Sequence, residues 1–295
     1  MARERYPWLS AQIVAVMLFA SAAHANSRDL ETGGKLLLTN GVTSVDGSSG
    51  GGLATWAIIA GNATEEGVGA SVHVTLVELP DYRLQSHGFA IGLFDRVELT
   101  YARQNFDTKA VGASLGLGRG FKLNQDIYGA KLRLAGDLVY GEPALPQISV
   151  GANYRKNLDA PVIALLGARR RKDVDFYMSA TKLILSRSIL VNGTARLTRA
   201  NQFGLLGYGG DKHDDRSLEF EASVGYQLSR SFLVGGEYRT KPDNLSVASE
   251  DDAMDLFAAW AIHDNFTLTA AYVDLGNILT QDVQRGAFLS LQAAF

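Results

Sequence analysis

The sequence predicts an all-β fold, a transmembrane antiparallel up-and-down β-barrel of about 14 strands, with about 12 as the fallback. Three observations predict it. Apolar residues recur at every second position over runs of about 9 to 11 residues, the length a tilted strand needs to cross a hydrocarbon layer. Short and long polar connections alternate between those runs. The chain also ends on such a run, Arg285 to Phe295, with Ala287, Leu289, Leu291, Ala293 and Phe295 on one parity. A terminal strand of that kind is best satisfied where it closes a ring.

Residues 1–25 read as a secretory signal. Arg3 and Arg5 form a basic head, Ile13 to Ala22 an apolar core, and Ala23-His24-Ala25 a small-x-small cleavage site. That core is shorter than the roughly 20 residues a spanning helix needs. Residues 26–295 then form the barrel, with no composition break to mark a second domain. The absence of cysteine excludes disulfides, lipoprotein anchoring and c-type haem attachment. A formal net charge of -3 gives no electrostatic case for nucleic acid. A mean hydropathy of zero is too polar for a helical membrane protein. Together with 31 Gly, 13 Phe and 11 Tyr it suits a barrel whose polar lumen face dilutes its apolar outer face.

Taken in order, strands are expected near 53–62, 67–78, 82–94, 96–106, 124–135, 147–156, 173–185, 188–199, 217–228, 231–240, 254–263 and 265–274, followed by the terminal run. That total is odd, whereas bacterial single-chain barrels have even numbers. The missing strand is assigned to Lys35 to Val45, joined by Asp46-Gly-Ser-Ser-Gly-Gly-Gly52. If that stretch is a plug or tether, the smaller count holds. Alternation is clearest where Leu218, Phe220, Ala222, Val224 and Tyr226 interleave with Glu219, Glu221, Ser223, Gly225 and Gln227. Aromatics gather near strand ends, with Phe94, Tyr226, Phe232, Phe266 and Phe295 at one rim. Tyr82, Tyr154, Phe176, Tyr238 and Tyr272 lie towards the other, as in paired interfacial girdles. Leu185 to Ser188, Ser229-Arg230 and His263-Asp264 are tight turns. Ala200 to Ser217 and Lys241 to Ala253 are long loops, and Thr108 to Lys122 is read as an external loop, with a hidden strand as its alternative.

Charges at mid-strand are costly against lipid, so Glu98, Lys131, Arg133, Arg155, Arg196, Glu219, Glu221, Glu237 and Arg239 are assigned to the lumen, with Asn153 and Asp255. There they either line a water-filled path and filter solutes, or pair into an interior network; alternation does not separate the two. His73 and His87 fall opposite one another across the hairpin centred on Pro80, but their parities conflict unless Gly88 forms a bulge, so no metal site is assigned. Ser71 and His73 share one face at a spacing a nucleophile and base could use, and Asp211, His213, Asp214 and Asp215 cluster in one loop. A barrel hydrolase built on either ranks third among the readings, and no catalytic residue is assigned. Gly116-x-Gly118-x-Gly120 lacks the strand–helix context of a nucleotide motif, and no cofactor is expected. Arg169-Arg-Arg-Lys172 is basic, while Glu250-Asp251-Asp252 and Asp211 to Asp215 are acidic. As loop charges they are solvated surface, or contacts to lipopolysaccharide phosphates and bridging cations.

The stretches Thr32-Gly-Gly-Lys-Leu-Leu-Leu-Thr-Asn-Gly41, Gly50-Gly-Gly-Leu-Ala-Thr-Trp56 and Phe94-Asp-Arg-Val-Glu-Leu-Thr-Tyr-Ala-Arg103 resemble an uncharacterised proteobacterial family, catalogued as domain of unknown function 3034. The resemblance covers nearly all of the mature chain and implies an exported, outer-membrane protein. It supplies no activity, ligand or site residue.

The function expected from these residues is a passive channel or facilitator for small polar solutes in the outer membrane of a Gram-negative bacterium. The alternative is a closed structural or docking barrel for a periplasmic or surface partner. Expected partners are outer-membrane lipid, lipopolysaccharide, and the barrel-assembly machinery through the strand ending at Phe295; nucleic acid is not one.

Overall fold

In the computed structural model, which describes residues 33–142 and 144–295, two short strands pair as a small inner hairpin: β1 (Val42–Thr43) and β2 (Ser49–Gly50). Twelve long strands follow. They are β3 (Val68–Glu78), β4 (Arg83–Leu93), β5 (Val97–Asp107), β6 (Lys122–Ala135), β7 (Gln147–Asn157) and β8 (Lys172–Ile184), then β9 (Ile189–Thr198), β10 (Ser217–Ser229), β11 (Phe232–Arg239), β12 (Ala253–His263), β13 (Phe266–Asp274) and β14 (Arg285–Ala294). Each pairs antiparallel with its sequence neighbours, and β14 pairs with β3 to complete a closed barrel. The C-terminus seals that joint. The Phe295 N–H donates to Ala70 O at 2.8 Å, and Phe295 O accepts the amides of Ala70 at 2.9 Å and Asn62 at 3.0 Å.

The wall therefore has 12 strands, and the larger expected count gives way to the fallback. Neither Lys35 to Val45 nor residues 53–62 belong to the wall. Every residue from 38 to 61 is buried, whereas a wall strand turns alternate side chains outward. Leu53, Trp56, Ile58 and Ile59 are apolar on both parities because they are enclosed on all sides, so their composition mimics a strand without its alternation. The secretory-signal reading of residues 1–25 lies outside the described residues.

On the wall the alternation holds. Leu99, Tyr128, Phe176, Met178, Val224, Leu256, Trp260, Leu289 and Leu291 point outward and are exposed, forming an apolar belt of the kind lipid accommodates. Short turns lie at one end. Phe94 and Asp95 both take positive φ (55° and 48°) there, the twist that lets the three-residue connection Phe94–Arg96 match antiparallel strands. Long loops crowd the other end, including short helices at Val111–Ser114 and Ala160–Leu165. Tyr82 was expected in the outer girdle but is completely buried. Its ring stacks on Phe106 at 4.9 Å and its hydroxyl donates to Ile278 O at 2.9 Å, fixing the loop end from within.

Candidate functional site: the lumen and its occupant

A twelve-strand ring is wider than the eight strands whose inward side chains suffice to fill it. Here the extra space is taken by the chain itself. Residues 33–64 enter at the short-turn end, rise to a turn at Ser44–Ser48, and return to β3. Within this segment the ladder hydrogen bonds are its own, between β1 and β2. Apart from the Asn62 amide on Phe295 O, it is held to the wall by side chains, because a backbone with no neighbouring strand must find other partners for its N–H and C=O groups.

The wall supplies those partners at successive levels. Near the tip, Asp46 is fully buried and lies 2.8 Å from Arg155 Nη2, 2.9 Å from Arg239 Nη1 and 3.7 Å from Arg196 Nη2. Burial opposes its charge, but the guanidiniums of Arg155, Arg239 and Arg196 prevail and hold its carboxyl well below the usual carboxylate range. Arg155 also meets Asp175 at 2.7 Å, and Arg196 meets Glu221 at 2.5 Å, so each cation is shared between wall and plug. Further down, the Thr55 amide donates to Glu221 at 2.7 Å, and Thr55 O accepts from Thr194 Oγ1 at 2.6 Å. Glu237 accepts the Leu53 amide at 2.8 Å, Ser223 Oγ at 2.6 Å and the Trp56 indole N–H at 3.3 Å. Near the short-turn end Lys131 Nζ donates to Ile58 O at 2.8 Å and pairs with Glu98 at 3.1 Å, while Glu98 accepts the Ala60 amide at 2.9 Å.

The lumen is two-sided. Against the charged wall of β5 to β10 stands an apolar one, where Leu233, Phe257, Ala259 and Ala261 pack on Leu38, Val42, Trp56 and Ile58. From the long-loop end, Phe203 reaches down with Arg239 stacked 4.5 Å over its ring, and its carbonyl accepts from Arg155 Nη1 at 2.9 Å. The cavity left between plug and loop, among Val45, Leu53, Phe106, Phe203 and Phe288, is about 10 Å³. That is the lower limit for one water.

Of the residues assigned to the lumen, Glu98, Lys131, Arg155, Arg196, Glu221, Glu237 and Arg239 are brought together around the plug. Arg133 sits at the short-turn rim beside Asp95 and Asp137, and Glu219 at the opposite end accepts from Thr240. Asp255 lies directly across from Glu237 on the neighbouring strand, with its Oδ1 buried and accepting no hydrogen bond among the described residues. His73 and His87 do not face each other. His73 opposes Gly88 in regular register and points inward, 3.4 Å from Ser86 Oγ, whereas His87 opposes Arg103 on the outer face, so the bulge is not formed. Among the described residues no group of three metal-ligating side chains assembles, at Asp211 to Asp215 or elsewhere. Asp46, Trp56 and Phe203 were not singled out from the sequence. A lone acid between glycines and serines was the available signal for Asp46; nothing marked Phe203.

The model of a family described as "Protein of unknown function (DUF3034)" matches residues 39–292. No curated protein matches the chain. Among solved structures, the KdgM porin is similar with a TM-score of 0.51 at 9% identity, covering 76% of this chain and 99% of that one. The same porin in complex with disordered oligogalacturonate gives 0.50 at 9% identity over 76% and 99%. The NanC porin gives 0.47 at 8% identity over 77% and 98%. The two KdgM structures establish a shared barrel fold.

Proposed function

The chain belongs to the DUF3034 family, whose description names no activity, and from the filled lumen we propose an outer-membrane channel for small polar solutes that is held shut by its own residues 33–62. The observation that carries this reading is how the occupant is attached. Residues 38–61 are buried throughout within the ring, yet they add no strand to the wall ladder, so their withdrawal would leave the twelve-strand ring intact. The surface then uncovered is apolar only on the side of Leu233, Phe257, Ala259 and Ala261. It carries Glu98, Lys131, Arg155, Arg196, Glu221, Glu237 and Arg239, groups that water and polar solutes can satisfy in place of the plug.

The test is single-channel recording of the purified protein in planar bilayers beside a variant lacking residues 33–62. The full chain should be electrically quiet and the shortened one should conduct in discrete steps. A shortened barrel that folds, judged by heat-modifiable migration in SDS, yet stays silent would sink the channel. A closed docking barrel is the second reading, favoured by the mutual pairing of Asp46 with three arginines. A shortened chain that cannot form the barrel at all would support that reading, since the plug would then be the core.

A further inference from the structure

We propose that the outer wall over β6 to β8 holds a phosphorylated lipid headgroup between Lys156 and Lys172. Cross-strand register carries one row of outward residues over five strands, His87, Arg103, Asp126, Lys156 and Lys172, each directly opposite the next. The row starts within β4 and reaches the last turn of β7 and the first residue of β8, so it climbs towards the long-loop end. The row one step closer to the short turns is aromatic: Phe89, Tyr101, Tyr128 and Tyr154, with ring centroids 5.8, 5.2 and 6.2 Å apart. An aromatic band with cations above it is the arrangement of a membrane interface, with acyl chains below and headgroups above.

Within the row the charges are not all spent. Arg103 grips Asp126 through Nε at 2.7 Å and Nη2 at 2.8 Å, and Tyr101 donates to the same carboxylate at 3.0 Å. Lys156 and Lys172 stand opposite each other in register; Lys156 also has Asp126 opposite it on the other side, within electrostatic reach, but that carboxylate is bonded to Arg103, and among the described residues neither ammonium has a carboxylate within ion-pair distance. Like charges in directly opposed positions repel, and a shared anion between them removes the repulsion. Sequence reading gave the phosphate contact to the whole run Arg169 to Lys172. The geometry narrows it, because Arg170 is taken by Asp214 and Lys172 is the one member of the run that lies within a wall strand. The occupant is a lipid and not free phosphate because the pair sits on the wall directly above exposed Tyr128, Phe176 and Met178, where chains attached to the phosphate would lie. The proposal stands apart from whether the lumen conducts.

Native mass spectrometry of the full-length protein tests it, with lipid A as the anionic probe, phosphatidylcholine, whose phosphate is balanced by its own quaternary ammonium, as the net-neutral control and millimolar inorganic phosphate as competitor. Wild type should retain lipid A in preference to phosphatidylcholine. K156Q/K172Q should retain about tenfold less, K172Q alone an intermediate amount, and K212Q, in a loop pair with Asp243, as much as wild type. Each variant is checked for heat-modifiable migration. Equal retention by the double variant, or an equal loss in K212Q, would overturn the site. Displacement by inorganic phosphate would overturn its assignment to a lipid.

Discussion

Arg155 holds Asp46 through both carboxylate oxygens, with Nη1 donating to Oδ1 at 2.9 Å and Nη2 lying 2.8 Å from Oδ2. This joins the tip of an otherwise unladdered segment to the middle of the wall. Arg239 and Arg196 converge on the same group, so among the described residues Asp46 is the one anion around which three buried cations are gathered. Asp46→Asn keeps the shape and removes the charge. Uncompensated buried charge of this kind costs about 3–5 kcal/mol, and the loss falls on the plugged conformation. Bilayer recordings of D46N should show openings that wild type lacks, and limited proteolysis should cut residues 33–62 sooner. A variant as silent and as resistant as wild type would show that the arginines do not hold the plug.

The same cluster sets a pH expectation. The Asp46 carboxyl is held below its ordinary value of about 3.9 by the surrounding guanidiniums. A depressed acid contributes stability that is fully present above the ordinary value and is lost as pH falls through the depressed one. The Asp46 clamp should therefore be unchanged between pH 8 and about pH 5. Recordings over that range should show no clamp-dependent opening, so that the difference between wild type and D46N stays constant. A difference that shrinks on mild acidification would contradict the assignment.

The wall was legible in the sequence because its physical constraint is periodic: lipid on one side and lumen on the other force the alternation seen from Leu218 to Tyr226. The same constraint placed Glu98, Lys131, Arg155, Arg196, Glu221, Glu237 and Arg239 inward. What escaped was the content of the lumen. Leu53, Trp56, Ile58 and Ile59 bury apolar surface as a strand does, and enclosure without a lipid face leaves no periodic trace. Tyr82 was placed in the girdle for a related reason, since a tyrosine at a strand end looks the same facing lipid or stacked on Phe106. Register decided His73 and His87, and sequence alone does not give it.

Phe203 closes the loop end but does not hold the plug. Its ring lies under Arg239 at 4.5 Å and Lys241 at 5.7 Å, and its backbone sits at φ 59°, a strained position for a side chain of that size. Phe203→Ala removes buried aromatic area, and a loss of about 3 kcal/mol is expected, with no offset from backbone strain because alanine keeps it. The thermal midpoint for loss of heat-modifiable migration should fall accordingly, yet F203A should remain electrically silent, because residues 38–61 still fill the ring. Conductance in F203A alone would move the barrier from the plug to the loop.

Gly51 tests whether the plug depends on close approach to the wall. A Cβ there would stand 1.9 Å from Glu237 Oε1 and 2.8 Å from Trp56 Cζ2. Glu237 cannot swing aside freely, since it accepts the Leu53 amide, Ser223 Oγ and the Trp56 indole, and moving it would strand those donors. Gly51→Ala should therefore loosen the plug by about 1–3 kcal/mol through overpacking. Gly193→Ala is the control, because an added Cβ meets nothing within 4 Å there. Trp56 itself reports the change. It is 1% exposed, whereas Trp260 faces outward at 48%, so a W8F/W260F background isolates its emission. In that background G51A should shift Trp56 fluorescence to longer wavelength and raise acrylamide quenching, while G193A leaves both unchanged. If G51A matched G193A, the Glu237–Trp56 contact would not be what seats the segment in the barrel.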